Sequence, residues 1–67
     1  MDNIKNNLSK YRAWKDITQD DLAKQLKISA HTLRMIELNR QYPKYQVRAK
    51  ICSYFNVSQD QMFYIDK

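Results

Sequence analysis

Residues 18–38, TQDDLAKQLKISAHTLRMIEL, decide the fold. Their apolar side chains recur at helical rather than strand spacing. Leu22, Ala23 and Leu26 share one helical face, Leu33 and Ile36 share another, and Ile28 falls between the two runs. Thr18 stands as an N-cap before the first run, with Asp21 three places on in a capping-box-like arrangement. Ser29 stands as the N-cap of the second run. Two short helices follow, over 18–26 and 30–38, hinged by a tight turn at 27–29. Ala23 falls where the helices cross most closely and only a small side chain fits.

The reading extends in both directions. A first helix is expected over 6–15, with Ile4, Leu8 and Tyr11 inward and Asp16-Ile17 as connector. Asn39 tolerates the left-handed conformation that ends many helices, and Pro43 suits the start of a fourth helix over 44–55. Tyr45, Ala49, Ile51, Cys52 and Phe55 are its inward candidates. Asn56 breaks that helix, Val57 packs, and Ser58 caps a fifth helix ending near Phe63. With no Gly and a single Pro, the expectation is one all-α domain of five compact helices. The two chain ends add one further element. Phe63-Tyr64-Ile65 has strand propensity, and Asn3-Ile4-Lys5 can pair with it as a short two-stranded ribbon.

Charge is distributed unevenly. From Leu22 to Lys50, seven basic residues (Lys24, Lys27, Arg34, Arg40, Lys44, Arg48, Lys50) face one acid, Glu37, a local excess of +6 in a chain whose formal net charge is +5. Such a stretch attracts a polyanion, and DNA is the obvious one. No apolar run approaches the roughly 20 residues that span a bilayer, and MDNIKNN lacks the basic-then-apolar pattern of a secretory signal. A single cysteine forms no internal disulfide, and Cys52 reads as a small buried hydrophobe. A cytoplasmic, reduced protein is expected. One histidine, one cysteine, no glycine-rich phosphate loop and no clustered carboxylates leave little from which to build a catalytic, metal or cofactor site.

The chain resembles the lambda-repressor/Cro-like (XRE-type) helix-turn-helix regulators of bacteria and phages. ITQDDLAKQLKIS looks like that family's second-helix-to-turn segment. NRQYPKYQVRAKICSYFNVSQDQMF resembles its loop, fourth helix and closing fifth helix. The resemblance implies a structural ion pair between Arg12 and Glu37, tying the first helix to the third. It also marks three departures. Lys27 and Asn39 stand where the family usually carries Gly, and Arg48 stands where it commonly has an apolar core residue. Either the Arg48 stem passes the core, or Val47 and Ala49 take over packing there.

In a helix-turn-helix the second helix of the unit enters the major groove, its N-terminal residues at base edges. The outward residues of that half are Ala30, His31, Thr32, Arg34 and Met35. His31 can donate or accept, Ala30 and Thr32 offer methyls suited to thymine, and Arg34 suits guanine. Gln19 matches the family's phosphate-gripping place at the start of the second helix. Ser29, Asn39, Arg40, Gln41, Tyr42 and Lys44 complete the expected backbone contacts.

One such helix reads few base pairs, so the expectation is a homodimeric repressor on a palindromic operator, bacterial or phage-encoded. Dimerisation is expected through Val57, Met62, Phe63, Tyr64 and Ile65. The chain is too short for a sensor domain, so a signal would arrive through concentration, cooperativity or a second regulatory protein. The alternative from another class is an antitoxin-like or anti-regulator subunit whose main task is to hold a partner protein. Trp14 serves either a core or a partner surface.

Overall fold

The computed structural model describes residues 3–66. Its elements, in chain order, are β1 (Asn3–Asn6), α1 (Leu8–Lys15), α2 (Gln19–Leu26), α3 (Ala30–Glu37), α4 (Tyr45–Phe55), α5 (Gln59–Met62) and β2 (Phe63–Asp66). Five helices pack around one core, and the chain ends close into a two-stranded antiparallel ribbon pairing Ile4 with Ile65 and Asn6 with Phe63.

Side-chain caps start three of the helices. Thr18 accepts a hydrogen bond from the Asp21 amide, Ser29 from that of Thr32, and Ser58 from that of Gln61. At Ser58 the box is complete, because the Gln61 side chain accepts from the Ser58 amide in return.

The helix ends are more unusual. Asp16, Lys27, Asn39 and Asn56 all adopt positive φ, between 54° and 61°. Each follows a helix closed by a pair of wrapped-back hydrogen bonds. The amides of Ile17, Ile28, Arg40 and Val57 reach the carbonyls of Arg12, Ala23, Met35 and Cys52, five residues back. A chain without glycine thus makes four left-handed helix ends from other residues. Asp and Asn tolerate that conformation because their short polar side chains bond locally. Lys27 has no such help and carries the strain. The turn between α2 and α3 is nevertheless closed, with the Lys27 amide on the Lys24 carbonyl and the Ile28 amide on that of Ala23.

The core consists of Leu8, Leu22, Ala23, Leu26, Leu33, Ile36, Ile51, Cys52, Phe55, Met62 and Phe63, with Tyr11, Ile17, Ile28, Val47, Tyr54 and Val57 packed against it. Cys52 is buried, and that burial pushes its thiol pKa above the ordinary range, against a smaller opposing effect of the Arg48 charge. No helix among the described residues is long and apolar enough to cross a membrane.

Three expectations are corrected. The first helix starts at Leu8 rather than 6, because Asn6 belongs to the ribbon. Its Oδ1 accepts from the Leu8 amide while its Nδ2 donates to the Ile36 carbonyl. Ile4 is therefore an exposed ribbon residue opposite Ile65, not an inner position of α1. Tyr45, expected inward, is 64% exposed, and its ring lies 5.6 Å from the Arg48 guanidinium. Met62 and Phe63, expected on an outward dimerisation face, are buried in the core, because the junction of α5 and β2 that carries them packs against it.

Candidate nucleic-acid interface

The crossing of α2 and α3 sets the site. Leu22, Ala23 and Leu26 on one side, and Leu33 and Ile36 on the other, are all buried. With the inner face of α3 so occupied, Ala30, His31 and Arg34 are left exposed, while Thr32 and Met35 are half-buried. Ser29 Oγ donates to Thr32 Oγ1 at 2.8 Å and accepts from the Thr32 amide at 3.0 Å, so both hydroxyls serve the start of α3. The side chains free to reach outward from this end are accordingly Ala30, His31 and Arg34.

A polar cluster holds α3 to the rest of the molecule. Arg12 Nε donates to Glu37 Oε2 at 2.9 Å and Nη2 to Oε1 at 3.3 Å, a forked pair. Its Nη1 donates to the Ile17 carbonyl at 3.0 Å. The Glu37 side chain is only 7% exposed, so the pair is shielded from water on one side. Gln19 joins the same carboxylate, its Nε2 donating to Glu37 Oε1 at 3.1 Å. Gln19 was expected to grip a phosphate; here its side chain is held by Glu37 at the first turn of α2, whose exposed amides still favour an anion.

Gln19, Asp20, Ala30, His31 and Arg34 line one shallow groove of about 200 Å³. The fold thus brings the expected backbone residue Gln19 beside three of the expected base readers. Asp20 is the neighbour the sequence reading passed over. Its only signal was a position next to Gln19, and nothing in the one-dimensional pattern aims it at α3.

The loop over 39–44 continues the basic surface. Asn39, Arg40, Gln41, Tyr42 and Lys44 are exposed, whereas Pro43 is buried. Asn6 Nδ2 donates to Asn39 Oδ1 at 3.1 Å, and the ring of Tyr42 meets that of Phe63 edge-on at 6.0 Å. On the other side of the molecule, Lys50 Nζ donates to the Leu26 carbonyl, placing a cation at the C-terminus of α2. Of the five residues expected to join two copies, Met62 and Phe63 are core and Val57 packs against the core. Tyr64 and Ile65 remain exposed, joined across the ribbon by Ile4. Among the described residues no group of three or more His, Cys, Asp or Glu side chains is arranged to hold a metal ion.

Residues 5–64 match the helix-turn-helix domain family. Over 60 residues, spanning 90% of this chain and 91% of the relative, the sequence is 38% identical to an uncharacterized HTH-type transcriptional regulator of Methanocaldococcus jannaschii. Two solved structures are similar. One is the SOS-response transcriptional repressor LexA from Eubacterium rectale, with a TM-score of 0.77 and 25% identity. That match covers 82% of this chain but only 58% of the LexA chain. The other is a candidate DNA-binding protein from Bacteroides fragilis, with a TM-score of 0.78 and 25% identity, covering 90% of this chain and 97% of that one.

Proposed function

The chain belongs to the helix-turn-helix family of XRE-type transcriptional regulators, a DNA-binding family, and on that premise we propose that it is a sequence-specific repressor. It acts by occupying a palindromic operator as a homodimer. The observation that carries this reading is the outward edge of α3. Ala30, His31 and Arg34 are exposed on a helix whose other face is fully spent on the core, inside a segment with a +6 charge excess. Arg34 and His31 read base edges, with Ala30, Met35 and the Thr32 methyl as apolar contacts. Arg40, Gln41, Tyr42, Lys44 and the amides at the start of α2 hold phosphates.

The ribbon end supports the homodimer. The two-stranded ribbon carries Ile4, Tyr64 and Ile65 as exposed apolar side chains. Asn6 ties that ribbon to the Ile36 carbonyl in the last turn of α3.

The test is binding to duplex DNA as salt is varied, using a duplex selected from a random pool against an unselected one. Several neutralised phosphates give a steep fall of log affinity with log salt; a flat dependence, or no preference for the selected duplex, sinks the proposal. Arg34→Ala is expected to relax specificity. Arg40→Ala is expected to weaken all sequences alike and reduce the salt slope by about one.

A second reading, a subunit that holds a partner protein, draws on Trp14, which is 71% exposed on α1 with its ring edge-on to Tyr11. Sedimentation separates the two. A stable dimer favours the repressor, and a monomer or an aggregating chain favours the partner-holding subunit.

A further inference from the structure

The departure at Arg48 points to a role in the loop that faces DNA. Arg48 sits on α4 where the resemblance leads one to expect an apolar residue, yet it is neither a free surface cation nor paired with an acid in an ion pair. Its Nη1 donates to the Pro43 carbonyl at 2.7 Å and its Nε to Gln59 Oε1 at 3.2 Å. Its guanidinium carbon lies 4.8 Å from the centre of the Tyr42 ring and 5.6 Å from that of Tyr45. Two of its five N–H groups donate to the protein, and two aromatic rings lie within cation–π distance, so the guanidinium is held by four partners of the same chain.

Every one of those partners except Gln59 lies in, or immediately after, the loop over 39–44. The opposite end of that loop is held too. Asn39 adopts the left-handed conformation, and its side chain is gripped by Asn6 of β1. Between these two anchors lie Arg40 and Gln41, exposed and without a side-chain hydrogen bond among the described residues.

We propose that Arg48 is a positioning residue for DNA binding. It holds Pro43, Tyr42 and Tyr45 so that Arg40, Gln41 and Lys44 meet the phosphate backbone already ordered, and it makes no phosphate contact itself. The inference rests on the DNA-binding reading above. Its physical basis is preorganisation: a loop ordered before binding loses less conformational freedom when the phosphates arrive.

The experiment compares Arg48→Met and Arg48→Lys with the unaltered chain, in two measurements. The first is affinity for a random-sequence DNA duplex across a salt series. The second is amide hydrogen exchange of the free protein. Both variants are expected to bind roughly three- to tenfold more weakly, as expected for one or two side chains that must now be ordered on binding. The log–log salt slope is expected to stay unchanged. Arg48→Lys does not rescue, because a lysine keeps the charge but loses the fork and the planar stacking. In the free variants the amides of 40–42 and 44 exchange faster while the core amides of α2 and α3 do not.

A slope reduced by about 0.9 in Arg48→Met, with rescue by lysine, would make Arg48 a direct phosphate contact and overturn the proposal. Faster exchange throughout the chain would make it a general stabiliser and overturn it equally. A flat salt dependence in the unaltered chain would instead remove the DNA-binding reading, while the exchange measurement still decides whether Arg48 orders the loop.

Discussion

The α2–α3 unit and the opposite end of the molecule, where α4, α5 and the ribbon meet, are built on different principles. In α2–α3 nearly every contact joins residues fewer than twenty positions apart. Leu22, Ala23 and Leu26 meet Leu33 and Ile36 across a three-residue turn, and Thr18 and Ser29 cap the helices that carry them. At the other end the decisive contacts are distant. Asn6 reaches Ile36 and Asn39, Ile4 pairs with Ile65, and Tyr42 packs on Phe63. Local geometry is dictated by spacing and capping; distant geometry depends on which surfaces remain uncovered once the local pieces have formed. The functional surface straddles this divide. The exposed edge of α3 belongs to the local part, and the loop beside it is anchored from the distant one.

The largest effects test whether the two ends share one core. Leu33→Ala and Met62→Ala remove fully buried side chains from opposite sides of the divide, and each is expected to cost about 2–5 kcal/mol in denaturant unfolding. If Met62→Ala instead leaves the unfolding midpoint unchanged and only weakens self-association, Met62 belongs to an interface and not to the core. Next is Glu37→Ala, which strands Arg12 and frees Gln19. Because Arg12 retains some solvent, the loss should be about 2 kcal/mol, between the values for fully buried and exposed pairs. Gln19 gains mobility in that variant, so affinity for DNA should fall by more than stability alone explains.

Ser29→Ala removes the cap of α3 and is expected to cost about 1 kcal/mol, read by thermal unfolding. It should also loosen the turn of α3 that carries His31. The smallest effect runs the other way. Lys27→Gly relieves a left-handed residue with no local side-chain support and should stabilise the chain by roughly 0.5–1 kcal/mol, part of the relief being offset by the freedom glycine gains when unfolded. Asn39→Gly should gain less or lose, since Asn tolerates that conformation and its Oδ1 holds Asn6. Equal gains at the two positions would mean that the side-chain anchor on Asn39 contributes nothing.

Much of this was legible in the residues. The five helices and the caps at Thr18, Ser29 and Ser58 follow from spacing and cap chemistry, and the contact between Arg12 and Glu37 is the one the family resemblance implies. The strand propensity of the two chain ends likewise pointed to the ribbon. The misreadings share a cause. Ile4, Tyr45, Met62 and Phe63 are all large and apolar, and their side depends on a partner far away in sequence. Tyr45 faces outward because Arg48 gives its ring a cation to lie against. Met62 and Phe63 turn inward because β1 closes over the end of the core. Arg48 itself read as an anomaly in an apolar position, since its partners at Pro43, Tyr42 and Gln59 come together only when α4, α5 and the loop are assembled.

The amino-acid sequence by itself determined the helix-turn-helix and the exposed edge of α3, because 3.6-residue periodicity and N-caps act within a turn or two of the chain. It also determined the local charge excess of +6 over residues 22–50. Only the tertiary structure decided which residues remain free to use it. Ser29, Thr32 and Gln19 are engaged by neighbours, Met62 and Phe63 are withdrawn into the core, and the loop over 39–44 is gripped by Asn6 and Arg48. The physical reason is that hydrogen-bond partners and burial belong to pairs of residues, and the pairs that matter here run from 3 to 33 positions apart.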